Sequence, residues 1–158
     1  MRAGRRIALI GASGSGKSTL LDLLALVLSP DPGGVQRWDD GGQCLDLAAL
    51  WQQGRHDELA ALRARAFGYV LQTGGLLGFL SVRGNIQLPR ELLGLPVAGV
   101  VEQLAEQLGI ADLLDRLPGR LSVGQRQRVS IARALAHRPA IVLALSLIHI
   151  SEPTRLGM

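Results

Sequence analysis

The sequence predicts an α/β fold, a core of short aliphatic strands with a helical subdomain inserted between them. Three observations carry this. Arg6 to Ile10 is an aliphatic run that stops at Gly11 and leads into a helix-favouring stretch. Phe67 to Leu71 and Ala140 to Ala144 are two further short apolar runs, each of strand length. Between those two, from Ser81 to about His137, the pattern is helical.

Taken in order, the first run reads as a buried strand ending in a glycine loop. Ser18 to Leu28 favours helix, and Ser29-Pro30-Asp31-Pro32-Gly33-Gly34 ends it. Residues 35–47 are polar around Gly41-Gly42 and suit a small hairpin. Asp57 to Ala66 is helical by pattern, and Phe67 to Leu71 is the second strand. The helical stretch that follows is punctuated by Gly94, Pro96, Gly109, Pro118 and Gly119, with Leu104, Leu108, Leu113, Leu114 and Leu117 as its expected apolar face. Ala140 to Ala144 returns to the core as a third strand.

The chain has 158 residues, long enough for a core; 47% are apolar and 3% aromatic, so that core is aliphatic. The net charge of +4 comes almost entirely from arginines interleaved with Asp and Glu, which describes a solvated surface and argues against a nucleic-acid partner. Cys44 is the single cysteine, so no internal disulfide forms. His56, His137 and His149 have no metal-ligand spacing with one another or with Cys44. The apolar stretches Leu20–Leu28 and Ala140–Ile150 are short of the ~20 residues that a membrane helix needs, and the basic start is not followed by a leader-like segment.

Gly11-Ala12-Ser13-Gly14-Ser15-Gly16-Lys17-Ser18 matches G-x-x-x-x-G-K-[ST], the phosphate-binding loop, with a strand expected before it and a helix after. Glycines let the backbone wrap an anion so that successive amides and the helix N-terminus point at phosphates. Lys17, the only lysine of the chain, would reach the β and γ phosphates of the nucleotide. Ser18 would ligate Mg²⁺, and Thr19 would help hold the α phosphate. The loop by itself indicates a nucleoside triphosphate and nothing narrower.

Leu121-Ser122-Val123-Gly124-Gln125, followed by Arg126-Gln127-Arg128-Val129-Ser130-Ile131-Ala132-Arg133-Ala134-Leu135, narrows it. Ser122 and Gln125 form an S-x-x-Q capping box, so they could serve only to open a helix. The stretch also resembles the signature of ABC ATPases, L-S-G-G-Q before a basic helix, with Val123 in place of a glycine. The resemblance implies a P-loop NTPase core of RecA-like type, ATP and Mg²⁺ as cofactors, and a head-to-tail homo- or heterodimer. In that dimer Ser122, Val123, Gly124 and Gln125 face the ATP bound by the other subunit. It also implies a membrane-spanning permease partner, at the cytoplasmic face of the inner or plasma membrane.

By the same resemblance Gln72, at the end of the second strand, touches Mg²⁺ and the attacking water, making Lys17 and Gln72 the catalytic candidates and Ser18 and Gln72 the metal-binding ones. The loop at Leu76–Leu80 would contact the permease. Tyr69–Pro89, with Asn85-Ile86-Gln87-Leu88-Pro89, is similar to the branch that includes lipoprotein-releasing and macrolide-exporting ATPases. Gly84 stands where those relatives carry Glu, so a helix opening at Ser81 lacks its reciprocal cap.

The resemblance covers residues 2–144, a fold incomplete at both ends. After Ala144 the family continues Asp-Glu-Pro-Thr, in which the acidic pair serves Mg²⁺ and the attacking water. Leu145 and Ser146 occupy those places and can do neither. Glu152-Pro153-Thr154 is displaced by about six residues and cannot stand at the same strand end. Leu145 to Arg155 is what a transposase adapter used in DNA library preparation encodes when read in frame. The expected organisation is therefore 1–75 as the first part of the nucleotide-binding core, 76–137 as the helical subdomain, 138–144 as the returning strand and 145–158 as a non-native tail. Two other readings stay open: a soluble ABC ATPase without a transport role, and a nucleotide-binding module without hydrolysis.

Overall fold

A computed structural model of the chain describes residues 4–39, 44–71 and 74–145. Its elements are α1 (Lys17–Leu24), β1 (Arg37–Asp39), β2 (Cys44–Asp46), α2 (Leu47–Gln52), α3 (His56–Ala66), β3 (Phe67–Val70), α4 (Val82–Leu92), α5 (Val100–Gln107), two 3₁₀ turns at Ala111–Leu113 and Pro118–Arg120, α6 (Val123–Leu135) and β4 (Ile141–Ala144). β1 and β2 pair antiparallel, the hairpin predicted for 35–47. The Gly41-Gly42 turn, Gln72, Ser146 and His149 lie outside the described residues.

β3 and β4 pair in parallel, Phe67 opposite Ile141 and Val70 opposite Ala144, so the two later strand expectations meet side by side. A parallel pair needs a long crossover, and the helices α4 to α6 supply it. Gly68 lets β3 approach α6: a methyl built there would come within 2.2 Å of the Ala134 carbonyl oxygen, which only backbone movement could relieve.

Residues 6–10 depart from the prediction. They form no strand, and Ile7, Leu9 and Ile10 are exposed, Ile10 by 94%. A strand exists only where a neighbour takes up its amides and carbonyls, and no described strand pairs with this run.

The first helix also stops early, at Leu24. Carbonyls in its last turn and just beyond it meet donors from elsewhere: Gln36 Nε2 to Leu23 O at 2.7 Å, and the Arg63 guanidinium to Leu26 O. Val27 N and Leu28 N turn back to Asp22 O, with Leu26 left-handed at φ 59°. Tertiary hydrogen bonds thus replace the last helical turn that the apolar run predicted. α2, which the sequence pattern does not mark, opens on Asp46, whose carboxylate accepts from Ala49 N at 3.0 Å.

Two apolar clusters form. Leu21, Ala25, Leu26, Leu47, Leu50, Leu59, Leu62, Ala66, Phe67 and Leu143 pack α1, α2, α3 and the β3–β4 pair together. The second joins Val82 and Ile86 of α4, Val101 and Ala105 of α5, Ile110, Leu113, Leu114 and Leu121 of the turns, and Val129, Ala132 and Ala136 of α6 and its end. At about 1.5–3 kcal/mol for each fully buried large aliphatic side chain, these clusters outweigh any single cap. The expected leucine face is partly corrected here. Leu113 and Leu114 are buried and Leu104 and Leu108 pack against the cluster, whereas Leu117 is 48% exposed and Val101 and Ala105 do its work in α5.

Candidate nucleotide-binding site

The phosphate-loop sequence is built as a loop into a helix. Gly14 and Gly16 have φ of 80° and 82°, a conformation that L side chains rarely adopt, and between them they turn the chain into α1. Ser15 N donates to Ala12 O at 3.2 Å, closing the turn. Gly16 is the N-cap and brings no side-chain acceptor, and the first turn of α1 holds no acidic residue. The first amides of α1 are therefore left for an external anion, at the positive end of the helix dipole. Gly11 to Gly16, Ser18 and Thr19 are exposed, and Lys17 is half-buried.

The Lys17 ammonium lies over this loop, donating to Gly11 O at 2.8 Å, Ala12 O at 2.6 Å and Ser15 Oγ at 3.3 Å. Its three protons are all engaged within the loop, so the charge is held where an entering phosphate would meet it. α1 is fixed beneath by Leu21, and by Asp22, whose carboxylate accepts from Tyr69 Oη at 2.6 Å. Burial first, then this bond and the carboxylate charge, push the Tyr69 pKa up to about 12. Tyr69 therefore stays a donor throughout the physiological range, joining the loop's helix to β3.

No group of three or more His, Cys, Asp or Glu side chains among the described residues could hold a metal by itself. The donor set at the loop, the exposed Ser18 hydroxyl at the mouth of an anion site, suits Mg²⁺ carried in with phosphates, because that ion takes few protein ligands and keeps water or phosphate for the rest.

The second predicted cluster stands at the start of α6. Ser122 is its N-cap; Ser122 Oγ accepts from Gln125 N at 3.2 Å and Gln125 Oε1 accepts from Ser122 N at 2.8 Å, the complete capping box. Such a cap is worth about 1 kcal/mol. Val123 is 69% exposed, and a methyl on Gly124 would meet no atom within 4 Å. Packing within the chain does not require glycine at 124. The phosphate loop and the Ser122–Gln125 turn make no hydrogen bond to each other among the described residues; they stand as separate surfaces, each led by a helix N-terminus.

Two residues at the connection between β3 and α4 escaped the sequence reading as working parts. Asn85, fully buried in α4, donates from Nδ2 to the carbonyls of Leu77 (3.0 Å), Leu80 (3.1 Å) and Ser81 (3.0 Å) and accepts at Oδ1 from Leu77 N (2.8 Å). It clamps a loop whose Phe79 is 79% exposed. Its one sequence signal was an amide between Val82 and Ile86, on the side of α4 that is otherwise apolar. Ser81 caps α4 through Gly84 N at 3.1 Å without a reciprocal bond, as the glycine at 84 implied. Arg133 of α6 donates to Gly75 O at 2.7 Å and Gly74 O at 3.1 Å, and burial lowers its pKa from the ordinary arginine value without discharging it.

Residues 1–144 match the family model described as ABC transporter. The chain belongs to the ABC transporter family. It is similar to the macrolide export ATP-binding/permease protein MacB of Nitrobacter winogradskyi, 42% identical over 157 residues that make up 98% of this chain and 22% of that protein. The MacB of Bordetella avium is 40% identical, with the same coverage of each. The chain thus spans about a fifth of the length of these relatives. Among solved structures it resembles MJ0796, a bacterial ABC transporter cassette determined as a dimer, with a TM-score of 0.67 and 33% identity, covering 84% of this chain and 56% of that one. The same cassette has also been solved as a dimer in a post-hydrolysis state bound to ADP and Pi. Its fold is that of the ABC ATPase cassettes.

Proposed function

We propose that this domain binds MgATP at Gly11–Thr19 and works as half of a head-to-tail pair. The ATP held by one copy is completed by Ser122, Val123, Gly124 and Gln125 of a second. The observation that carries the reading is the open phosphate loop. Its amides are uncapped, its lysine is poised over it, and its residues are exposed, as a site finished by another surface would be. Gly124 fits the complementary role, since the space beside it is free for close approach by a phosphate.

In this reading Ser18 and Gln72 hold Mg²⁺, which neutralises phosphate charge, and Lys17 orients the β and γ phosphates. Gln72 orients the attacking water. In the natural protein, hydrolysis drives transport by a membrane-spanning permease at the cytoplasmic face, with the exposed Phe79 loop as the contact. No helix among the described residues is long and apolar enough to cross a membrane. Two units, 1–75 with 138–144 and 76–137, would carry the two halves of the ATP site, and 145–158 would be foreign to the natural chain.

One observation favours a second reading, a module that binds ATP without hydrolysing it. Leu145 follows β4 with its amide donating to Val70 O at 2.9 Å and its side chain against the first apolar cluster. An apolar side chain there cannot serve Mg²⁺, and Ser146, next in the sequence at the place of the glutamate, offers no general base, a loss of about 10²- to 10⁴-fold in rate. The two readings share the ATP-bound pair. With saturating MgATP, light scattering should show the 158-residue chain doubling in mass, and removal of nucleotide should return it to a monomer. A chain that demonstrably binds ATP yet stays monomeric would contradict the pair.

A further inference from the structure

The segment that leads into the Ser122 turn is fixed at two points and carries a cation that nothing inside the chain engages. Pro118 and Leu121 are buried, Leu121 within the second apolar cluster, and the Leu121 carbonyl accepts from the Arg126 guanidinium of α6 at 2.5 Å. Arg120 between them is exposed, as are Ser122, Val123 and Gly124 beyond. Arg83, Arg90, Arg126, Arg128 and Arg133 each meet a carboxylate or a backbone carbonyl. Among the described residues the guanidiniums of Arg116 and Arg120 have no such partner, and together they line a cleft of about 580 Å³. Asp115 at its edge faces Arg83, at 4.0 Å. Leu121 is extended, at φ −99° and ψ 148°, so the Cα atoms of Arg120 and Ser122 stand about 6.5 Å apart, a span within the length of an arginine side chain.

Ser122, Val123, Gly124 and Gln125 bring no charge, and an anion at their turn is met by amides and the helix dipole alone. We propose that Arg120 supplies the charge: it is a further binding residue for the phosphates of the ATP held by the second copy, reaching them from beside Ser122. The inference rests on the reading of the Ser122 turn as half of a shared site. A guanidinium suits this work because it stays charged and its planar fork bonds two phosphate oxygens at once. The backbone on either side is already held through Pro118, Leu121 and Arg126, so only the side chain has to order on contact.

The test is the dimer dissociation constant of the 158-residue chain in saturating MgATP, read by light scattering over a range of chain concentrations. Loss of one charge-assisted contact is about tenfold, and a symmetric pair loses two, so Arg120→Gln should raise that constant about a hundredfold. Titration of the dilute chain with a fluorescent ATP analogue should find its own ATP affinity unchanged within about twofold, because the contact is made only across the pair. Arg120→Lys should recover part of the loss, keeping the charge without the fork. Arg65→Gln removes the same charge from an exposed position on α3 and should shift the constant by about threefold at most. Equal dimerisation of Arg120→Gln and the unaltered chain overturns the proposal. So does an equal loss in Arg65→Gln, which makes net charge the cause, or a matching loss of ATP affinity in the dilute monomer. An unaltered chain that binds ATP and stays monomeric overturns the shared site, and this proposal with it. The Arg120 side chain is exposed and bonds to nothing within the described residues, so circular dichroism melts of the variants should match that of the unaltered chain.

Discussion

Lys17→Ala should weaken ATP binding by about a hundredfold, because the ammonium is a side-chain charge held over the phosphate loop and each charge-assisted bond contributes about 1.5–3 kcal/mol. The effect is smaller than the sum of two such bonds. In the free chain the ammonium already bonds to Gly11 O, Ala12 O and Ser15 Oγ, so phosphate binding exchanges partners instead of adding them. A net difference near 3 kcal/mol is about two decades in affinity. Titration with a fluorescent ATP analogue measures it directly. A loss of threefold or less, with an unchanged circular dichroism spectrum, would mean that the loop amides alone hold the phosphates.

Asn85→Leu should cost about 3 kcal/mol of folding stability while leaving ATP affinity within about twofold. Leucine fills a similar volume but leaves the Leu77 amide and the Leu80 carbonyl without the side chain that met them, while Leu77 O keeps Leu80 N and Ser81 O keeps the residue-85 amide. Each buried group left unmatched costs about 1–3 kcal/mol, and some of these will find water as the loop loosens. Urea unfolding reads the stability, and limited proteolysis should open new cleavage at Leu76–Leu80. A midpoint that hardly moves, with no new cleavage, would show that the loop is fixed by Leu76 packing and not by the amide.

What could be read from the sequence was what is local. The phosphate loop needs two left-handed glycines and a helix start, all within Gly11–Ser18, and the capping box is complete within Ser122–Gln125. Both took the expected form because their partners are near neighbours in the chain. β3 and β4 were legible as short apolar runs between turn signals. That they pair with each other, and in parallel, is seen only in the structure.

The rest depended on distant partners. Arg6 to Ile10 has strand composition, but pattern alone cannot supply a neighbouring strand, and none of the described ones pairs with it. α1 lost its last turn to Gln36 and Arg63, which lie on later segments. Asn85 and Arg133 read as ordinary polar positions on helices, because what defines them is the set of loop carbonyls each one meets. The family resemblance takes in both positions, Asn85 within Tyr69–Pro89 and Arg133 in the helix after the signature, but assigns neither of them a role.

The central claim, that one copy's phosphate loop and another copy's Ser122 turn complete a single ATP site, is tested most directly by complementation. Lys17→Ala disables the first surface. Ser122→Arg disables the second, at the cost of a cap worth about 1 kcal/mol, which the packing of α6 can absorb. Each variant alone can build only defective sites, whereas a mixed pair holds one site with both defects and one with neither. Light scattering in saturating MgATP should therefore find each variant monomeric and the equimolar mixture dimeric. A mixture that stays monomeric while the unaltered chain dimerises, or dimers of either variant by itself, would contradict the shared site.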